Sequence, residues 1–504
     1  MQYIKNRWIL DDKIEKREYQ EKIAESASKA NTLCVLPTAL GKTIISLLVV
    51  TKVLDKDMNK RILFLAPTRP LVDQHKNTYE KFLKLGLNLV PITGKIKPEE
   101  RKKLYRTADI IFSTPQCIKN DLKNNFFNFT DFSLLIVDEV QHCIGNYAYT
   151  FVAKKFIEQS NKLILGLTAS PGARYSKINQ IKKNLFIKNV EIRDEKDEDV
   201  KEFVEPINLK WIEINLPEDF EIVRRKLFDL REERIKKLVG WGVIYSPNIT
   251  KTQIIELQTK LSRTGKSGFT FAALSMLAEI LKIDYAIELL ETQTTESLNE
   301  YIDKIFEHGK SKKTKADTRL ANDEIFKEIY VMINKLGVHP KLFALENTVK
   351  DELKNQDTRV IIFAQFRSTV KSIKDMLEKI PNCKPVVLVG QSGKDGLKQS
   401  KQIELISMYD AGFYNTLITT SIGEEGIHLG SATTAIFYEP IPSEIRSVQR
   451  RGRVGREQPG RIFILMTKKT RDEAYYWSAF HKEKKMKNIL YRMKDQMDLK
   501  GFEG

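Results

Sequence analysis

What this 504-residue chain lacks narrows its class first. Its four cysteines, Cys34, Cys117, Cys143 and Cys383, lie far apart with no CxxC and no Cys/His ligand spacing. That excludes a disulfide-stapled scaffold and a zinc site, and the cysteines read as reduced, mostly buried thiols of an intracellular protein. No apolar stretch approaches the ~18 residues of a membrane span. The opening MQYIKNRWILDDK is too polar for a secretory signal, so a cytoplasmic protein without a membrane partner is expected. No internal repeat is visible beyond a similarity between two α/β blocks.

What is present is basic. Lys and Arg number 84 against 66 acidic residues, a formal charge of +18 with a pI near 9.4. Such a balance suits a polyanion, nucleic acid above all, although a lysine-rich surface can also be mere solvation. The hydrophobic fraction of 41% and charged fraction of 30% are those of a globular protein. The length suggests roughly three domains of about 150 residues.

From residue 31 to about 170, short apolar runs alternate with amphipathic stretches. TLCVL, RILFLAP, ADIIFSTP, SLLIVDE and KLILGLTAS each end in Pro, Thr, Ser or an acidic residue. This is the pattern of a parallel α/β sheet, whose ligands collect at the carboxyl ends of the strands. The charge-dense EIRDEKDEDVKEF (191–203) reads as a linker, and residues 218–335 carry apolar residues at helical spacing. Strand–helix alternation returns at RVIIFAQF (359–366). The expected architecture is two α/β lobes, 1–205 and 336–504, around an all-helical insertion at 206–335. The insertion holds 21 basic and 20 acidic residues, but its segments SRTGKSG (262–268) and HGKSKKTKADTR (308–319) are locally basic and read as long loops. Residues 441–504, with 16 basic against 8 acidic residues, end in a basic helix.

Three stretches carry chemistry. LPTALGKT (36–43) ends like the phosphate loop G-x-x-x-x-G-K-[ST], with Leu36 where the first glycine stands. It follows a strand and opens a helix, so its backbone amides can cradle phosphate, Lys42 can reach the β/γ-phosphates and Thr43 can ligate Mg²⁺. LLIVDEVQ sets Asp138 and Glu139 at a strand end, where Asp138 suits Mg²⁺ and Glu139 suits orientation and deprotonation of an attacking water. QRRGRVGR (449–456) would be costly to bury and makes sense facing phosphates, with Arg453 and Arg456 as arginine fingers. Each has a plain structural reading when taken alone: a turn, a helix cap, a solvated loop.

In this order on two α/β lobes, the three resemble the superfamily-2 helicases. KREYQ (16–20), APTRPLVDQ (66–74), TGK (93–95), STPQ (113–116), TAS (168–170), FAQFRS (363–368) and TTSIGEEGIH (419–428) resemble the remaining motifs of that superfamily. Within it, LPTALGKT, GNYAYTFVAKKF (145–156), FYEPIPSEIRSVQRRGR and TRDEAYYW are similar to the archaeal Hef group, relatives of the eukaryotic FANCM/Mph proteins. The resemblance implies two RecA-like lobes with a helical insertion and an ATP- and Mg²⁺-dependent DNA helicase acting on forked, branched or single-strand/duplex junction DNA. It also implies a nucleoid-associated setting. It leaves a protein partner such as a sliding clamp unspecified. No ERKxxxD-like stretch is present, so the helicase portion without an XPF-type nuclease is expected.

The resemblance also assigns residues. ATP contacts fall on Arg17, Gln20, Pro37, Thr38, Ala39, Leu40, Gly41, Lys42, Thr43, Gly423, Glu425 and His428. Catalysis falls on Lys42, Asp138, Glu139, Gln449, Arg453 and Arg456, and Mg²⁺ on Thr43 and Asp138. DNA contacts fall on Thr68, Arg69, Thr93, Gly94, Thr114, Gln365, Arg367 and Thr420; the basic composition of 308–319, rather than the resemblance, adds the insertion lysines Lys310, Lys312, Lys313 and Lys315. Ala39, Gln141 and His428 depart from the usual Gly, His and Asp. Two other readings stay open: an RNA-directed superfamily-2 ATPase of the innate-sensor or Dicer type, and a weakly catalytic nucleic-acid clamp.

Overall fold

The computed structural model describes residues 2–38, 40–158, 162–263, 267–391, 396–420, 432–454 and 459–501, the last five as backbone only. Two parallel sheets flank a helical bundle. The first comprises β1 (Thr32–Val35), β2 (Arg61–Leu65), β3 (Leu89–Ile92), β4 (Ile110–Ser113), β5 (Phe132–Val137), β6 (Leu163–Thr168) and β7 (Asn189–Ile192). Their order is β3-β4-β2-β5-β6-β1-β7, every pairing parallel. The central strands are buried along almost their whole length, because helices cover both faces of a parallel sheet and leave no solvated side to alternate with.

The second sheet comprises β8 (Ile207–Ile214), β9 (Val360–Phe363), β10 (Pro385–Leu388), β11 (Thr416–Thr419), β12 (Thr434–Phe437) and β13 (Gly460–Thr467), in the order β10-β11-β9-β12-β13-β8. Here the structure corrects the expected boundary at 206. Eight residues at the start of the supposed insertion, β8 from its second residue on, pair in parallel register with β13 at the edge of the second sheet. Their half-exposed alternation, INLKWIEI, is that of an edge strand rather than a helix.

Among the described residues the insertion proper is six helices: Glu218–Gly240, Lys251–Arg263, Gly268–Thr292, Thr295–Lys310, Lys315–Asn322 and Glu324–Ile333. It has an apolar core around Leu227, Ile287, Ile302 and Ile329 and a second around Leu238, Ile254 and Leu277. It is rooted on the second lobe. Thr369 Oγ1 donates to Gln293 Oε1 at 2.8 Å, Ser297 Oγ to Ser368 Oγ at 2.7 Å, and Arg471 pairs with Asp284 at 3.0 Å.

Two more expectations fail, for identifiable reasons. HGKSKKTKADTR is no long loop: residues 308–310 end one helix and 315–319 begin the next, leaving a four-residue turn. Thr314 caps the second helix by accepting from Asp317 N at 3.1 Å, and the buried Asp317 carboxylate holds Lys282 at 2.8 Å. A Cβ on Gly309 would lie 2.5 Å from Ala321 Cβ, so only glycine lets the two helices approach this closely. Nor is EIRDEKDEDVKEF a free linker. It lies under the C-terminal helix Arg471–Gly501, with Lys487 on Asp194 at 2.5 Å, Tyr491 on Asp197 at 2.9 Å and Lys494 on Glu191 at 3.8 Å. Met486, Leu490 and Met493 of that helix enter the core of the first lobe. Among the described residues no helix is long and apolar enough to cross a membrane.

Candidate active site

The phosphate loop leaves β1 and turns into the helix Lys42–Lys56 through Gly41, whose φ of 75° is left-handed. A Cβ there would strike Gln20 Nε2. Gln20 is buried beneath the loop and donates to Leu40 O at 3.2 Å, while Tyr19 OH donates to the same carbonyl at 3.0 Å. The expected base-reading glutamine therefore braces the loop from below. Lys42 Nζ lies across the loop, donating to Leu36 O at 3.0 Å and Pro37 O at 3.3 Å. Arg17, Pro37, Thr38 and Leu40 line a cavity of about 250 Å³ between the lobes, with Val448, Arg451 and Gly452 on its far wall. Arg17 sits over the Phe203 ring, 5.0 Å from its centroid.

Asp138 and Glu139 follow β5. Glu139 has a φ of 55°, a left-handed conformation that costs a non-glycine residue about 1–2 kcal/mol. A hydrogen-bonded relay leads away from its carboxylate. Gln141 Nε2 donates to Glu139 Oε2 at 2.6 Å, Thr168 Oγ1 donates to Gln141 Oε1 at 2.8 Å, and Ser170 N donates to Thr168 Oγ1 at 2.9 Å. Gln141, a departure by sequence, is thus the link between the DEVQ and TAS segments. Beside it, His75 joins the two expected Mg²⁺ ligands: Nε2 meets Asp138 Oδ2 at 2.9 Å and Nδ1 meets Thr43 Oγ1 at 3.4 Å. The imidazole packs against Phe64, tilted by 35° with centroids 4.4 Å apart.

Nothing in PLVDQHK marked His75 beforehand, since its partners are 32 and 63 residues away in the chain. Among the described residues no cluster of three His, Cys, Asp or Glu could by itself hold a metal. One carboxylate and one hydroxyl fit an ion that arrives with phosphate and keeps most of its water, as Mg²⁺ does.

The second lobe presents the helix Glu444–Arg451 to this surface. Ala173 N donates to Glu444 Oε1 at 2.9 Å, and a Cβ on Gly452 would collide with the Thr38 side chain. The lobes therefore touch at the phosphate loop itself. Gln449 and Arg453 are buried here. The expectation that QRRGRVGR (449–456) faces phosphates fails at Arg450, a fully buried side chain. Its guanidinium lies between Phe363 and Phe437 at 5.3 and 5.5 Å, donates to Glu439 O at 3.1 Å and faces the Glu439 carboxylate at 3.7 Å. The acid that compensates it is eleven residues upstream, which makes its burial affordable. Burial pushes the Glu439 carboxyl up to about 7, against the opposing pull of Arg450 and Lys341. Ala39, Gly423, Glu425, His428 and Arg456 lie outside the described residues.

The expected nucleic-acid residues gather at strand ends. Thr68 and Arg69 follow β2, Thr93 and Gly94 follow β3, and Thr114 follows β4, three neighbouring strands. Gly94 stands 3.7 Å from the Arg69 guanidinium as a Cβ would see it. A buried pair sequence reading missed supports them: Arg101 binds Asp121 through two nitrogens at 2.7 and 2.8 Å and donates to Ile96 O at 2.5 Å, just behind the TGK turn. On the second lobe, Gln365 and Arg367 follow β9 and Thr420 follows β11. Arg367 Nη2 donates to Gly390 O at 2.9 Å. Lys310, Lys312, Lys313 and Lys315 lie at and beyond the carboxyl end of the helix Thr295–Lys310, opposite the end that Ser297 fixes to the second lobe.

Comparison with known proteins decides the family. The crystal structure of the Pyrococcus furiosus Hef helicase domain matches 94% of this chain and 100% of its own, with 37% identity and a TM-score of 0.72. The chain belongs to the Hef family of superfamily-2 helicases. Family models match in the same order: "DEAD/DEAH box helicase" over residues 17–178, "Putative ATP-dependent RNA helicase, helical bundle" over 219–338 and "Helicase conserved C-terminal domain" over 341–458. These imply ATP use.

Two relatives carry different substrates in their names. "Putative ATP-dependent RNA helicase MJ1505" of Methanocaldococcus jannaschii is 42% identical over 97% of this chain and 63% of its own length. "ATP-dependent DNA helicase fml1" of Schizosaccharomyces pombe is 30% identical over 92% and 58%. This Hef-family chain therefore spans about three-fifths of either relative.

Proposed function

We propose that the protein is an ATP-driven motor that remodels forked or branched DNA. One observation carries this reading. The phosphate loop of the first lobe and the Gln449–Arg453 segment of the second meet across one cavity, while the strand-end residues expected on a DNA backbone are divided between the same two lobes. A change in lobe spacing is then also a change in the distance between two grips on one strand.

When bound, ATP with Mg²⁺ supplies the phosphoryl chemistry. Lys42 and the amides of the loop hold phosphate, and Thr43 and Asp138 hold the ion. Glu139, oriented by Gln141, takes the proton of the attacking water. Arg453 and Arg456 stabilise transition-state charge from the opposite lobe, with Gln449 beside them. Thr68, Arg69, Thr93, Gly94 and Thr114 grip the backbone on one side, and Gln365, Arg367 and Thr420 on the other. The insertion selects which DNA is engaged.

An RNA-directed activity is the second reading, favoured by the printed name of the Methanocaldococcus relative. ATPase rates with forked DNA, single-stranded DNA, double-stranded RNA and no nucleic acid separate the two. Stimulation greatest by forked DNA is expected. Greater stimulation by double-stranded RNA overturns the DNA reading, and no stimulation by any of them leaves a clamp.

A further inference from the structure

The helix Arg69–Phe82 turns Val72, His75 and Tyr79 inward, at the spacing of a buried stripe. Two of those three side chains are polar, and both are directed at the phosphate-loop helix. Tyr79 OH lies 2.8 Å from Ser46 Oγ, which donates to Thr43 O at 2.7 Å. One turn nearer the amino end, His75 Nδ1 meets Thr43 Oγ1 at 3.4 Å, and its Nε2 meets Asp138 Oδ2 at 2.9 Å. Thr43 is thus held twice from one neighbouring helix, by its carbonyl through Ser46 and by its hydroxyl directly.

The direction of these bonds follows from the groups. A metal-ligating carboxylate is ionised and has no proton to give, so Nε2–H donates to Asp138. An imidazole with one N–H then offers Nδ1 as an acceptor, and the Thr43 hydroxyl is the donor that fills it. A hydroxyl whose hydrogen is fixed on Nδ1 turns its lone pairs the other way, the orientation that a cation ligand needs. A hydroxyl that gives its lone pairs to a cation is also the stronger donor, so the bond to Nδ1 and the ion reinforce one another. The Asp138 carboxylate is engaged through one oxygen, Oδ2, and that bond fixes its rotation.

Other roles are closed to this histidine. Both ring nitrogens are taken, so neither is left to accept a proton from water. The ring is buried, and Phe64, itself packed against Phe112 and Tyr79, sets its plane. A histidine that only filled the core would need no contact with either expected Mg²⁺ ligand, and this one bridges both.

We propose that His75 is the positioning residue of the Mg²⁺ site: it orients the Thr43 hydroxyl and the Asp138 carboxylate as one preassembled pair, and so sets the affinity for the ion. This rests on the assignment of Thr43 and Asp138 as the Mg²⁺ ligands.

The test is Mn²⁺ binding to the full chain with a non-hydrolysable ATP analogue, followed by electron paramagnetic resonance. His75→Leu keeps apolar packing on Phe64 and removes both bonds. Its Mn²⁺ affinity should fall about 10- to 100-fold, the usual loss when the support of a ligating side chain is removed. Nucleotide binding in EDTA should be unchanged, because Lys42 and the loop amides are untouched. His75→Gln carries one donor and one acceptor and should recover most of the lost affinity. In ATPase assays the leucine variant should need correspondingly more Mg²⁺, with kcat largely restored at saturation. Asp138→Asn and Thr43→Val serve as references, and a thermal melt checks the fold of each variant. Should His75→Leu not fold, His75→Asn, too short to reach both partners, takes its place.

Unchanged Mn²⁺ affinity in the leucine variant, with the references weakened, overturns the role of His75 and leaves the Mg²⁺ assignment intact. A glutamine variant no better than leucine overturns orientation by hydrogen bonding. So does a loss of nucleotide binding in EDTA as large as the loss of Mn²⁺ binding, which general damage to the loop would give. References that bind Mn²⁺ as the wild type does overturn the ligand assignment itself, and the proposal with it.

Discussion

The two walls of the cleft are built on different physics. On the first lobe, the carboxylates proposed for ATP hydrolysis belong to short hydrogen-bonded relays: Thr43–His75–Asp138 and Glu139–Gln141–Thr168. On the second, the segment proposed to carry the fingers is anchored by buried charge, Arg450 against Glu439, with a buried Lys341–Asp472 pair nearby. Relays of this kind can exchange partners when a ligand arrives, because few of their members carry charge. A buried ion pair cannot do so cheaply: removing one partner typically costs about 3–5 kcal/mol. The first wall is suited to rearrangement and the second to holding a shape.

The sharpest way to break this contrast is at the proposed catalytic groups. Arg453→Ala should lower kcat by about 10³–10⁵-fold with little change in KM, since its charge acts on the transition state. Steady-state ATPase kinetics check this, and a change in KM alone would move Arg453 out of the finger role. Glu139→Gln should reduce turnover by about 10²–10⁴-fold while ATP-Mg²⁺ binding persists. A fluorescent nucleotide titration alongside single-turnover hydrolysis measures both halves of that claim.

A smaller effect tests the relay. Gln141→Ala should lower kcat by roughly 10-fold, from the loss of one orienting hydrogen bond of about 1–1.5 kcal/mol. Combining it with Thr168→Val should add little, because both act through one chain. Full additivity in that cycle would mean the relay is not a unit.

The smallest effect is on stability. Glu439 holds its proton up to about pH 7, above the ordinary carboxyl range. The protonated form therefore favours the fold at low pH, and that contribution fades as pH rises from about 4.5 through 7. His339, pushed down to about 3 by burial, stays neutral across this window. Denaturant melts at pH 5 and pH 8 should show the wild type losing more stability than Glu439→Gln, by at most about 1.4 kcal/mol per pH unit crossed.

Much of this was legible in the sequence, because strands buried on both faces read as unbroken apolar runs and the phosphate loop, DEVQ and QRRGR are contiguous. What was not legible depends on contacts distant in the chain. β8 was hidden because an edge strand alternates and was embedded beside helical pattern. His75 and Arg101 were invisible because their partners lie 20 to 63 residues away. Arg450 was misread because its compensating acid, Glu439, lies outside the motif. The lysines of 308–319 were assigned to a loop because composition reports charge, while Gly309 and Thr314 set the geometry.

The C-terminal helix has a mechanical consequence. Its first residues are tied to Asp284 on the insertion, and farther along Lys487 and Lys494 are pinned to Asp194 and Glu191 on the first lobe. A stiff rod fastened at both ends limits how far the cleft can gape before a fastening must release. The far pins are solvent-touched ion pairs, which dissolved salt weakens. Ionic strength would then set how far the cleft opens as well as any hold on nucleic acid. Raising salt would lengthen each opening even for molecules that stay bound.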